Sequence, residues 1–104
     1  MEDFKKLDIR VGTIVKVERV RRTEKLYKML IDLGPFGKRQ TVASLVGYYT
    51  PEQLLGRRVV FLANLKPVEF GGEVSEGMIL TADYGDVVPL LTVDGEVPNG
   101  VRVV

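Results

Sequence analysis

At 104 residues, with 45% hydrophobic and 28% charged residues, the chain has the size and balance of one soluble globular domain, expected to run over 1–104. It has no Cys and no His, which removes thiol chemistry, Cys/His zinc sites and every imidazole base, so no catalytic residue, metal or cofactor is expected. The formal net charge is only +1, and no apolar run approaches the roughly 20 residues that span a bilayer, so no membrane partner is expected.

The opening MEDFKKLD has no apolar core of the kind a secretory signal needs. Without export signal or cysteine, the expected location is the cytoplasm. Phe4 and Leu7 suit a short amphipathic opening. Ile9, Val11, Thr13, Val15 and Val17 then alternate with Arg10, Gly12, Ile14, Lys16 and Glu18, a period of two that predicts a long strand. Gly12 within it predicts a bulge or bend. Residues 26–33 read as a second strand, and Gly34-Pro35-Phe36-Gly37 as a turn. Residues 40–46 make a third strand. Thr50-Pro51-Glu52-Gln53 starts a helix: Thr50 caps, Pro51 fits the first helical position, and Gln53 completes a capping box. Gly56 ends it. Residues 59–65 predict a fourth strand and 78–83 a fifth. Residues 87–93 and 101–104 read as short extra C-terminal strands, set apart by Asp94-Gly95 and Pro98-Asn99-Gly100. The sum is an all-β, five-stranded OB-fold barrel with a short helix between strands 3 and 4. Such barrels commonly bind oligonucleotides, but other small barrels share the strand count.

Charge is uneven along the chain. Residues 1–28 hold nine Lys/Arg against five Asp/Glu, and residues 69–104 hold one against seven. The basic part is densest at Arg19, Arg21, Arg22, Lys25 and Lys28. It reads either as a solvated loop or as a phosphate-contacting patch.

Between the fourth and fifth strands lies a turn-rich polar insert, Asn64 to Gly77. Several of its side chains have two readings. Asn64 can read a base edge, or hold the strand-end turn through a side-chain-to-backbone bond. Met78 can support a stacked base, or belong to the core. Ser75 and Glu76 can meet a ligand, or only shape the loop. Lys66 and Lys25 suit phosphates. Of Tyr48 and Tyr49, either can stack on a base; the plainer reading packs one in the core and leaves the other half-exposed. Asp83 and Asp86 flank Tyr84-Gly85, where a solvated hairpin tip competes with a catalytic or metal role. Gly71-Gly72 lacks the Gly-Lys-Ser/Thr end of a phosphate-binding P-loop.

Five segments in order carry a resemblance: Asp8-Ile9-Arg10-Val11-Gly12; Lys25-Leu26-Tyr27; Tyr49-Thr50-Pro51-Glu52 with Leu54 and Gly56; Asn64-Leu65-Lys66-Pro67; and Ser75-Glu76-Gly77-Met78-Ile79-Leu80. Together they resemble the tRNA-binding domain of the methionyl-tRNA synthetase C-terminal region. The same domain occurs as stand-alone structure-specific tRNA-binding proteins, in eukaryotic synthetase-associated cofactors, in the bacterial phenylalanyl-tRNA synthetase β-chain and in a small secretion chaperone. The resemblance implies an OB fold, usually a homodimer, that grips tRNA at its outer corner by shape and not by anticodon. Carried over by matching positions, the surface would comprise Lys25, Arg39, Ser44, Asn64, Lys66, Ser75, Glu76 and Met78, to which Arg21, Arg22 and Lys28 add positive charge. In place of the His-Pro turn many members carry, this chain has Arg19-Val20-Arg21-Arg22-Thr23-Glu24, which makes the first loop more basic. The expected function is a non-catalytic helper of methionyl-tRNA synthetase, as a separate β subunit or C-terminal domain; the opening Met favours a separate chain. The competing reading is a dimeric chaperone of the same fold that binds unfolded peptides.

Overall fold

The computed structural model describes residues 6–104, so Phe4 of the amphipathic opening lies outside the described residues. Seven strands form: β1 (Ile9–Arg19), β2 (Tyr27–Asp32), β3 (Lys38–Ala43), β4 (Arg58–Leu62), β5 (Val68–Phe70), β6 (Glu73–Ser75) and β7 (Met78–Ile79). One short helix, α1 (Pro51–Leu54), separates β3 from β4. Five strands share an antiparallel sheet in the order β3-β2-β1-β4-β7, and β5 and β6 make a separate hairpin. The sheet curls until its outer strands nearly meet. This is the all-β, OB-like barrel expected from the strand pattern.

The core fills the barrel with Ile14, Met29, Ile31, Leu33, Leu54, Val59 and Phe61, all essentially without solvent contact. The helix forms as its sequence dictates. Thr50 Oγ1 accepts from Gln53 N–H, Gln53 Oε1 accepts from Thr50 N–H, and Gly56 leaves with a φ of 86°. Its one buried side chain, Leu54, plugs the core.

The register of β1 departs from strict alternation. The shift lies between Ile14 and Lys16, so the irregularity sits at Val15 and not at Gly12. It leaves Val15 exposed, while Ile14, expected on the outer face, points into the core. Gly12 has a different reason to be small: a Cβ there would lie 2.6 Å from Ile31 Cγ2 and 2.9 Å from Leu33 Cδ2. Before the shift, β1 is buried on both faces, with Ile9 and Val11 on one and Gly12 and Ile14 on the other. Here β4 takes one edge of β1, and the C-terminal segment takes the other through Val11 N–H to Val101 O and Val103 N–H to Ile9 O.

The two C-terminal strands do not form. Residues 81–104 make only single bridges, Thr81↔Leu90, Tyr84↔Val87 and Arg10↔Arg102. Pro89 and Pro98 lack the N–H that a continuous ladder needs. The fifth strand is likewise cut to two residues: Leu80 N–H still donates to Val60 O on β4, but Leu80 O accepts from Leu91 N–H and Ala82 N–H donates to Pro89 O. Arg10 pins this tail: Nη1 donates to Gly100 O at 2.9 Å, the guanidinium stacks 3.8 Å over Phe36, and Nε faces Asp8 Oδ1 at 2.9 Å as an ion pair without an aligned hydrogen bond.

At Gly77 a Cβ would fall 2.4 Å from Phe61 Cζ and 2.5 Å from Leu62 O. Gly77→Ala must therefore move core or backbone, and is expected to cost about 3 kcal/mol. A urea titration should show a lower midpoint with an unchanged slope.

Candidate nucleic-acid interface

The polar insert is an ordered hairpin. Val68, Glu69 and Phe70 pair with Ser75, Val74 and Glu73 across the turn Gly71-Gly72, where both residues have positive φ (57° and 85°). That is the backbone a two-residue hairpin loop with native twist requires, and glycine adopts it without strain. The signal was present in the sequence as Gly-Gly between Phe70 and Glu73, but the strands are only three residues long.

After the hairpin, Ser75, Glu76 and Gly77 meet β3. Glu76 N–H donates to Gln40 O at 2.7 Å, and Glu76 Oε1 accepts from Gln40 N–H at 3.0 Å. Ser75 is buried; its Oγ accepts from Val42 N–H at 3.1 Å and donates to Gly77 O at 2.9 Å. Thr41 Oγ1 donates to the same carbonyl at 2.9 Å. These bonds close the seam between the first and last strands of the sheet. Ser75 and Glu76 thus hold the barrel, and Ser75 presents no free hydroxyl to solvent.

Asn64 also has structural work. Its Oδ1 accepts from Asp8 N–H at 3.0 Å and its Nδ2 donates to Lys6 O at 2.7 Å, tying the end of β4 to the start of β1. Arg39 Nη1 donates to Ala63 O at 3.1 Å, reaching from β3 to the end of β4. Lys28 is held between Glu73, 3.0 Å away, and Glu18, 3.7 Å away. The Glu73 hydrogen bond raises the Lys28 ammonium above its ordinary value. The Lys16 hydrogen bond at 2.9 Å, helped by Lys28, holds the Glu18 carboxyl below the usual carboxylate range.

The remaining predicted residues are exposed. Among the described residues, Lys25, Lys66, Arg21 and Arg22 make no ion pair. Lys25, Ser44 and Tyr48 line one open groove. Ser44 and Tyr48 also line a neighbouring groove of about 470 Å³ with Leu26, Phe70, Met78 and Val88. Met78 is 54% exposed, so the core reading does not hold for it. Tyr49 packs against the core and donates its hydroxyl to Val88 O, while Tyr48 stays half-exposed. Asp83 and Asp86 flank a tight turn at Gly85, both exposed. Phe70 had no signal in the sequence, since one aromatic residue in a polar insert has no periodicity to place it.

The family model described as "Putative tRNA binding domain" matches residues 9–102. The chain belongs to this tRNA-binding domain family. It is 50% identical over 103 residues to the methionine–tRNA ligase of Archaeoglobus fulgidus, covering 99% of this chain and 16% of that protein. Among solved structures, a MetRS related protein from Pyrococcus horikoshii matches with a TM-score of 0.90 and 39% identity, covering 98% of this chain and 94% of that one. The chaperone CsaA from Bacillus anthracis matches with a TM-score of 0.88 and 33% identity, covering 99% and 95%. The chain thus spans about a sixth of the ligase it matches and nearly all of the two small proteins.

Two outcomes follow. Ser75→Ala should cost about 1–3 kcal/mol in urea unfolding by stranding the buried Val42 N–H, whereas Lys66→Ala and Lys25→Ala should stay within about 0.5 kcal/mol of the parent. In a carboxyl NMR titration, Lys16→Met should raise the Glu18 midpoint toward its ordinary value. Because that midpoint is depressed in the fold, any stability from the pair is present at neutral pH and lost as pH falls through it.

Proposed function

We propose that this domain, over 1–104, binds tRNA by shape and carries out no chemistry, assisting methionyl-tRNA synthetase as a separate β subunit or a C-terminal domain. The observation that carries the reading is the family match over residues 9–102. The open grooves support it. Lys25, Ser44 and Tyr48 combine a cation, a hydroxyl and a ring on one surface, the groups that a folded RNA offers phosphate, ribose and base to. Arg21 and Arg22 extend the positive charge along the first loop, and Lys66 adds a free ammonium at the base of the hairpin. Within this reading Asn64, Arg39, Ser75 and Glu76 act through the shape they hold, and Lys28 through the hairpin it pins. The working form is a homodimer in the cytoplasm. Its contact surface is the C-terminal segment, where Val87, Leu91, Val101 and Val104 remain exposed on a stretch that otherwise packs on the barrel.

A second reading has its own support. The likeness to CsaA and the apolar lining of Leu26, Phe70, Met78 and Val88 suit an unfolded peptide. Peptide binding that survives high salt and is not competed by tRNA would favour it.

The deciding measurement is a filter-binding titration of total tRNA at several salt concentrations. Affinity should fall with a log–log slope of about −0.7 to −0.9 per neutralised phosphate. Lys25→Ala and Lys66→Ala should each reduce the slope by about one. A slope near zero overturns the tRNA reading.

A further inference from the structure

Two grooves border the β5–β6 hairpin and draw on its neighbouring residues Phe70 and Gly71. One is the apolar groove lined by Leu26, Phe70, Met78 and Tyr48. The other is polar, about 440 Å³, lined by Arg19, Arg21, Arg22 and Lys28 with Gly71-Gly72. Its two carboxylates, Glu18 and Glu73, are taken up by Lys28, so the arginines leave a net positive wall. Phe70 lines the first groove and Gly71, the next residue, lines the second. The ridge between them is the seat of the hairpin on the first loop: a Cβ on Gly71 would lie 3.0 Å from Thr23 Cγ2 and 3.2 Å from Leu26 Cδ1. The two linings are thus adjacent along the chain at Phe70 and Gly71.

The apolar groove offers a half-exposed ring at Phe70, another at Tyr48, and the Met78 thioether. Flat and polarisable surfaces of this kind hold an unstacked base, and adjacent guanidinium groups hold its phosphate. A polyanion suits the arginine wall, and an apolar peptide does not. We infer that the two grooves form one bipartite site for an unpaired RNA nucleotide, with the base against Phe70 and Met78 and the phosphate against Arg21 and Arg22 across the Leu26–Gly71 ridge. The inference rests on the reading of the chain as an RNA binder and adds what part of the RNA it takes: a base out of its stack, beyond helix shape alone.

The test uses the full chain and three probes: a single-stranded hexaribonucleotide carrying one 2-aminopurine, the same sequence as a blunt duplex, and total tRNA. Binding of the single strand should raise the 2-aminopurine emission as the base leaves its neighbours, and the duplex should bind more weakly. Phe70→Ala should weaken the single strand about tenfold with the salt slope kept. Phe70→Leu, which keeps apolar bulk without a ring, should lose most of the same affinity; far-UV circular dichroism checks that both stay folded. The double variant Arg21→Gln/Arg22→Gln should lower the salt slope by about one to two while the emission change at saturation persists. Unchanged fluorescence at saturation, or parental affinity in Phe70→Ala, overturns the bipartite site; if tRNA still binds, the tRNA reading stands alone. If the hexamer behaves as expected and tRNA does not bind, the site stands and the tRNA reading falls. Phe70-dependent capture of an unfolded apolar peptide in place of the hexamer overturns the inference in favour of a peptide groove.

Discussion

Closure of the barrel between β3 and the Ser75-Glu76-Gly77 segment is the constraint on which the other features depend. Only two residues of β7 pair with β4, and the sheet would otherwise end in an open edge at each side. The seam is closed by backbone and side chain together: Glu76 bonds Gln40 at both its N–H and its carboxylate, and Ser75 satisfies Val42. Gly77 lets the segment lie against the Phe61 ring, so the same three residues close the sheet and cap the core. A buried N–H without such a partner would cost more than the bond itself contributes.

This closure also sets up the surface. By fixing the end of the hairpin on β3, the seam carries Phe70 and the Gly71-Gly72 tip across to the first loop. Lys28 reinforces the placement through Glu73. Residues engaged in closing the barrel therefore position those left open at the surface. The motifs that carry the resemblance divide accordingly. Asp8 and Arg10 with Asn64 hold the start of β1 and the tail, and Ser75-Glu76-Gly77 hold the seam. Lys25, Lys66 and Met78 are left facing solvent. The likeness to both a MetRS related protein and a chaperone lies in the barrel they share, and a shared fold does not by itself set function.

Several elements were legible in the chain itself. The first strand followed from period-two patterning, the other barrel strands from apolar runs between turn signals, and the helix from Thr50, Pro51 and Gln53, because these signals are local. The family followed from five ordered motifs. Others were not legible. The bulge falls at Val15, where nothing in the residue types marks it, and the C-terminal apolar runs look like strands until their prolines and their contacts with β1 are considered together.

What the sequence alone determined is the architecture and the kind of molecule: an all-β OB-like barrel of the tRNA-binding domain family, with nothing in its side chains for thiol or imidazole chemistry. What tertiary structure decided is the part each polar residue plays. Ser75 could meet a ligand or shape the loop and is a buried lock; Met78 could support a base or join the core and lies open in the same groove as Phe70. The reason is range. Caps and alternation act over a few residues, whereas the seam joins residues 33 to 36 apart in the chain, and no local pattern records which side chains will be consumed in closing it.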